Sequence, residues 1–133
     1  MIKGLHHVGI AVRSLQERVP LYRALGLEVA GGEEVRSEMV RVTFLPVGDT
    51  RIELLEPTAP ESPIARFIAT RGEGLHHICL EVDDIRAAMA DLANQGFQLV
   101  SDEPRPGAHG PLVCFVHPRS AGGVLIELCQ TGG

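Results

Sequence analysis

The chain repeats itself. "LHHVGIAV" at 5–12 returns as "LHHICLEV" at 75–82, and the same shift of 70 residues lays Ser14 over Asp84 and Gly26 over Gly96. A duplication on this scale constrains the fold more than any local propensity, because both halves must build the same kind of unit. The closing segments correspond too. "VTFLPVGDTRIELLEP" at 42–57 and "CFVHPRSAGGVLIELCQ" at 114–130 each read as strand, turn and strand, and each contains Ile-Glu-Leu. Glu53 and Glu127 stand 74 apart rather than 70, as loops of unequal length require.

Within each half, β-branched content and alternation predict a strand over 5–12 and 75–82. A helix follows, capped by Ser14 or Asp84, with Leu15, Val19 and Tyr22 or Ile85, Met89 and Leu92 at helical spacing before Gly26 or Gly96 stops it. Pro20 lacks a backbone donor, so the first helix is expected to start near it or bend there. Three strands come next, over 27–34, 39–47 and 50–56 in the first half and 97–102, 112–117 and 123–129 in the second. The predicted architecture is α+β: a single domain of two tandem βαβββ modules, about 1–58 and 73–133. A linker helix within about 59–72 joins them, with Ser62 as cap, Pro63 at its first position and Gly72 as stop.

With 133 residues, 44% of them hydrophobic, there is enough chain for one buried core. A net charge of −5 without a basic cluster argues against nucleic acid as partner. The opening residues lack the apolar stretch of a signal peptide, and no run approaches the roughly 18 apolar residues of a membrane span, so a cytoplasmic protein is expected. Cys79, Cys114 and Cys129 form no C-x-x-C pair and read as buried reduced thiols.

Neighbouring side chains on a strand point to opposite faces, so each histidine doublet splits. His6 shares a face with Val8, Ile10 and Val12, and His76 with Ile78, Leu80 and Val82, which places both at the rim of an apolar side. His7 goes with Gly9 and Ala11, and His77 with Cys79 and Glu81, facing a cleft. Glu53 and Glu127 sit among aliphatic neighbours, where a carboxylate needs pairing, hydration or coordination. An approximate two-fold between the modules lets His7, Glu53, His77 and Glu127 converge on one divalent cation. The alternative is a structural ionic pair preserved by the duplication. A set of two nitrogens and two oxygens leaves two octahedral positions open and suits Co2+, Mn2+, Ni2+, Fe2+ or Zn2+. His117, in a turn, and His109, in the "RPGAHGP" loop, are not expected to be ligands.

In these segments, and above all in "HPRSAGGVLIELCQ", the chain resembles the vicinal oxygen chelate superfamily and, within it, the methylmalonyl-CoA epimerases. The likeness spans nearly the whole sequence. It implies a glyoxalase-like fold, in which a curved mixed sheet surrounds a metal cleft, and the metal ligands His7, Glu53, His77 and Glu127. It also implies one divalent ion, Co2+ first with Mn2+, Ni2+ or Zn2+ as alternatives, a homodimer, and epimerisation of methylmalonyl-CoA at C2 by proton abstraction through a metal-stabilised enolate. Glu127 is the expected base. The family's second glutamate base falls on Val42, which cannot move a proton, and Glu38 is the nearest substitute. Some epimerases carry Gln where Glu53 stands, and a glyoxalase I-type lactoylglutathione lyase is the alternative activity. A ligand-sequestering protein of the same superfamily is a third reading, disfavoured by the complete quartet. Arg105 and Arg119 lie in loops that could meet the CoA arm.

Overall fold

The computed structural model describes residues 2–107 and 110–132. Its elements run β1 (Ile2–Ala11), α1 (Leu15–Ala24), β2 (Gly31–Val35), β3 (Val40–Val47), β4 (Thr50–Pro57), α2 (Pro63–Arg71), β5 (Gly74–Val82), α3 (Ile85–Asn94), β6 (Arg105–Pro106), β7 (Leu112–Val116) and β8 (Ile126–Gln130). The strands pair in two mixed sets, in the orders β2-β3-β4-β1 and β5-β8-β7-β6. The chain falls into two compact units. One holds His7–His76, and the other holds the chain up to His6 and from His77 onward. Each histidine doublet therefore gives one residue to each unit.

In the His7–His76 unit, β4 runs parallel to β1, with Gly9 beside Glu53 and Ala11 beside Leu55, and antiparallel to β3. Both sheet faces are covered, because alternation along β4 sends Leu54 one way and Leu55 the other. Leu54 packs with Val12 and Leu45 under Leu15, Val19 and Tyr22 of α1. Leu55 packs with Ala11, Val40 and Val42 under Ile64 and Ile68 of α2. The α2 boundaries are those expected: Ser62 caps the helix by accepting from the Ile64 amide at 3.1 Å, and Gly72 ends it at φ 80°.

The other unit repeats the plan. β8 runs parallel to β5, with Cys79 beside Glu127 and Glu81 beside Cys129, and antiparallel to β7. Ile85 and Met89 of α3 cover Val82, Cys114 and Leu128. The duplication reaches the helix ends. Ser14 accepts from the Glu17 amide at 3.2 Å and Asp84 from the Ala87 amide at 3.1 Å. Beyond each helix a glycine turns left-handed, Gly26 at φ 97° and Gly96 at φ 90°. There Leu27 donates to Tyr22 and Phe97 to Leu92, the six-to-one bond of a Schellman end.

Three strand boundaries needed correction, as did the start of the first helix. Helix α1 begins at Leu15, ahead of Pro20, and carries the proline inside it. The carbonyl thereby left without an amide partner belongs to exposed Gln16, where water can serve it. The strand expected over 27–34 begins only at Gly31, because Leu27 and Val29 pack under α1 instead. The strand expected over 97–102 is reduced to a single bridge, Leu99 to Val116. Its Gln98 amide donates to the Ser120 hydroxyl, outside the ladder, and Pro104 and Pro106 remove donors just downstream. Strand β8 likewise starts at Ile126 rather than 123, after a 3-10 turn over Pro118–Ala121.

Candidate metal centre

The two modules set a histidine and a glutamate together in the same way. In one unit, Gly9 lies opposite Glu53 across the β1/β4 ladder, and His7, two residues earlier on the same face, reaches Glu53 with Nδ1 3.4 Å from Oε2. In the other, Cys79 lies opposite Glu127 across β5/β8, and His77, again two residues earlier, brings Nε2 to 3.4 Å from Oε1. Parallel strands with this offset are what the duplicated His and Ile-Glu-Leu segments dictate.

Each pair is enclosed: the side chains of His7 and Glu53 are 9% and 10% exposed, and those of His77 and Glu127 are 11% and 13%. A buried carboxylate demands compensation. The 3.4 Å spacing suits two ligands of a common ion. Donors about 2.1 Å from a cation lie about 3.0 Å apart at a right angle and about 3.4 Å apart at a tetrahedral one. The donor chemistry, two imidazoles and two carboxylates, fits a borderline divalent cation.

Glu53 has a further partner that the sequence reading missed. Arg51 sends both Nε and Nη2 to Oε2 of Glu53 at 2.8 Å, and its guanidinium lies 4.6 Å from the ring centre of Phe44, which faces Glu53 across β3/β4. This grip leaves Oε1 as the oxygen not engaged by the arginine. Alternation was the available signal, since residues 51 and 53 of a strand share a face.

Of the first histidines of the doublets, His76 borders an apolar cluster, as a rim residue should, and His6 does not. His76 sets its ring edge-on to Phe67 of α2 at 4.9 Å. His6 lies with Cys79 and Cys129, on the face of β5 and β8 that carries Glu127. The Cys79 thiol is pushed up first by its contact with Cys129, then by burial and by the charge of Glu127. Cys114, on the α3 side, is pushed up to about 11 by burial first and by Glu127 second. All three thiols are buried and unbridged, as the sequence suggested.

Val42, at the position where the family's second base was placed, is 5% exposed in the apolar cluster under α2. Glu38 ends an exposed 3-10 turn over Arg36–Glu38, where its carbonyl accepts from Ser62. His117 caps the turn before β8, its Nδ1 accepting from the Arg119 amide at 3.1 Å. Arg105 and Arg119 are exposed, and His109 lies outside the described residues.

Residues 6–115 match the family model of the Glyoxalase/Bleomycin resistance protein/Dioxygenase superfamily, the class of protein that duplicated βαβββ modules with paired His and Glu define. The ethylmalonyl-CoA/methylmalonyl-CoA epimerase of Cereibacter sphaeroides is 44% identical, over 98% of this chain and 99% of that one. The mitochondrial methylmalonyl-CoA epimerase of Homo sapiens is 43% identical, over 95% of this chain and 73% of that one. A solved methylmalonyl-CoA epimerase in complex with methylmalonyl-CoA and NH4+ has a TM-score of 0.89 at 35% identity, covering 100% of this chain and 97% of that one. The chain belongs to the methylmalonyl-CoA epimerase family and is an isomerase, which removes the glyoxalase I alternative from favour.

Proposed function

We propose that this enzyme interconverts the C2 epimers of methylmalonyl-CoA, that His7, Glu53, His77 and Glu127 together hold one divalent cation, and that Glu127 exchanges the C2 proton. The observation that carries the reading is the twin geometry: each module presents one imidazole and one carboxylate from the same register at the same 3.4 Å spacing. A structural ion pair copied by the duplication would repeat as well; the ligand reading is favoured by a spacing that suits two donors of one cation and by the enclosure of both carboxylates. When bound, the cation would neutralise negative charge developing on the thioester oxygen, which a weakly acidic α-hydrogen requires.

The chain's own groups do the rest. His7 and His77, each enclosed beside a carboxylate, present fixed nitrogen donors. Arg51 offsets one of the two carboxylate charges, so the ligand set has less excess negative charge than its composition alone gives. Glu127 has two oxygens, of which Oε1 faces His77. The other would take the proton from one face of C2; returning it there would regenerate the same epimer, so inversion needs a second acid on the opposite face. The resulting enolate is planar at C2, so a proton delivered to the opposite face gives the other epimer.

Co2+ is the ion we propose, with Mn2+, Ni2+ or Zn2+ as alternatives, on the basis of the mixed donor set. Three unbridged thiols support the cytoplasm as compartment. A homodimer rests on the family likeness, and light scattering at twice the chain mass is the expected result. Among the described residues, no helix is long and apolar enough to cross a membrane.

The test is incubation with methylmalonyl-CoA in heavy water, with methylglyoxal plus glutathione run alongside. Deuterium at C2 is expected with the first, and no turnover with the second. In Glu127→Gln, deuterium incorporation should fall at least a hundredfold. Incorporation at the parent rate would remove Glu127 from the proton path.

A further inference from the structure

We propose a second cation site in the same unit as Glu127: His6, Cys79 and Cys129 form a pocket for a soft, thiolate-seeking divalent cation, separate in all its donors from the His/Glu set. One imidazole nitrogen and two sulfurs lie within 4.8 Å of one another. Ligands held on one ion by bonds of about 2.3 Å to sulfur and about 2.0 Å to nitrogen stand roughly 3.5 to 4.0 Å apart. Side-chain rotations closing at most about 1.3 Å would therefore complete three-coordination.

The strand pattern puts these groups together. Cys79 pairs with Glu127 and Cys129 with Glu81 across β5/β8, so both sulfurs share one face. Their counterparts in the first module are Gly9 and Leu55, which cannot ligate, so the site belongs to this half alone. Both thiols are enclosed, at 0% and 3% exposure, which excludes competing water. Glu81 shares that face and has its own partners, the Thr131 hydroxyl, which donates to Oε2, and Lys3, whose Nζ lies 3.7 Å away.

Two sulfurs and one imidazole nitrogen are the donor set of a soft divalent cation. Soft thiolate donors also select a different ion class from the oxygen and nitrogen donors of the His/Glu set.

Cd2+ titrated into the reduced, Co2+-loaded protein tests the site, read by thiolate-to-cadmium charge-transfer absorption and by proton release in buffers of different ionisation heat. One Cd2+ per chain should give the sulfur band and release about two protons. Cys79→Ser and Cys129→Ser should each remove the band, and His6→Ala should weaken binding at least tenfold while the band persists. Cys114→Ser, a thiol on the opposite face, should change neither. Circular dichroism confirms the fold of each variant, and Cys79→Ala replaces any serine variant that fails to fold. The proposal is overturned by a wild-type protein with no sulfur band, or by a band that survives in Cys79→Ser and disappears in Cys114→Ser. His7→Ala should leave the band intact, so failure here and failure of the His/Glu centre are read separately.

Discussion

Replacing Glu73 by Gln removes the carboxylate on which two arginines converge inside the His7–His76 unit. The Arg13 amide donates to Oε1 at 2.9 Å, while Arg18 donates Nε to Oε1 at 3.1 Å and Nη2 to Oε2 at 2.8 Å. The link ties the start of α1 to the residue before β5. Hydrogen bonds from Arg18 first and the Arg13 amide second, helped by both guanidinium charges, hold the Glu73 carboxyl down at about 2. Against an ordinary value of 4.5, that shift is equivalent to a ceiling of about 3.4 kcal/mol at about 1.36 kcal/mol per pH unit. The Arg18 side chain is 48% exposed. Solvent screening therefore reduces the expected contribution to about 1 kcal/mol.

The sign follows from a folded value below the unfolded one. The stabilisation is fully present above about pH 4.5 and disappears as pH falls towards about 2. Urea denaturation of the parent and Glu73→Gln should therefore differ by about 1 kcal/mol near pH 6, with the difference shrinking to nothing near pH 2. Half a molar salt should also reduce it. A difference that is the same at both pH values would show that the variant acts through packing, and the ion-pair reasoning would be wrong.

Leu54→Ala empties a fully buried position on the central strand β4 and should destabilise by about 2–5 kcal/mol in the same denaturation assay, with less than 1 kcal/mol refuting its place in the core. Asp84→Ala removes the cap of α3 and should cost about 1 kcal/mol, with Asp84→Asn nearly neutral. Arg51→Met takes a positive charge from Glu53 and should tighten Co2+ binding about fivefold, about 1 kcal/mol, measured by competition with a chelating dye. Weaker binding in that variant would instead make Arg51 a residue that orients Glu53.

Both N-caps, both glycine stops and the capped linker helix could be read from the sequence, because they rest on local chemistry that acts within a few residues. The pairing of His7 with Glu53 and of His77 with Glu127 was legible because period-two alternation and a repeated motif together fix which side chains share a face. Positions 97–100 were not, since Phe97 and Val100 favour a strand while the Ser120 hydroxyl, more than 20 residues away, claims the Gln98 amide. Nor was the place of His6. Alternation along one strand says nothing about where a chain passes from one compact unit to the other, and here it does so within each doublet. Arg51 escaped notice because an arginine on a strand reads as a solvated charge until its fork is seen on a buried carboxylate.

The four-ligand centre is tested most directly by metal analysis of the protein purified in the presence of Co2+, beside His7→Ala and His77→Ala. About one tightly held ion per chain is expected in the parent and less than a tenth of that in either variant, although the two histidines come from different units. Retention of the full metal content in His7→Ala would contradict a shared centre and leave the paired imidazoles and carboxylates as structural ion links.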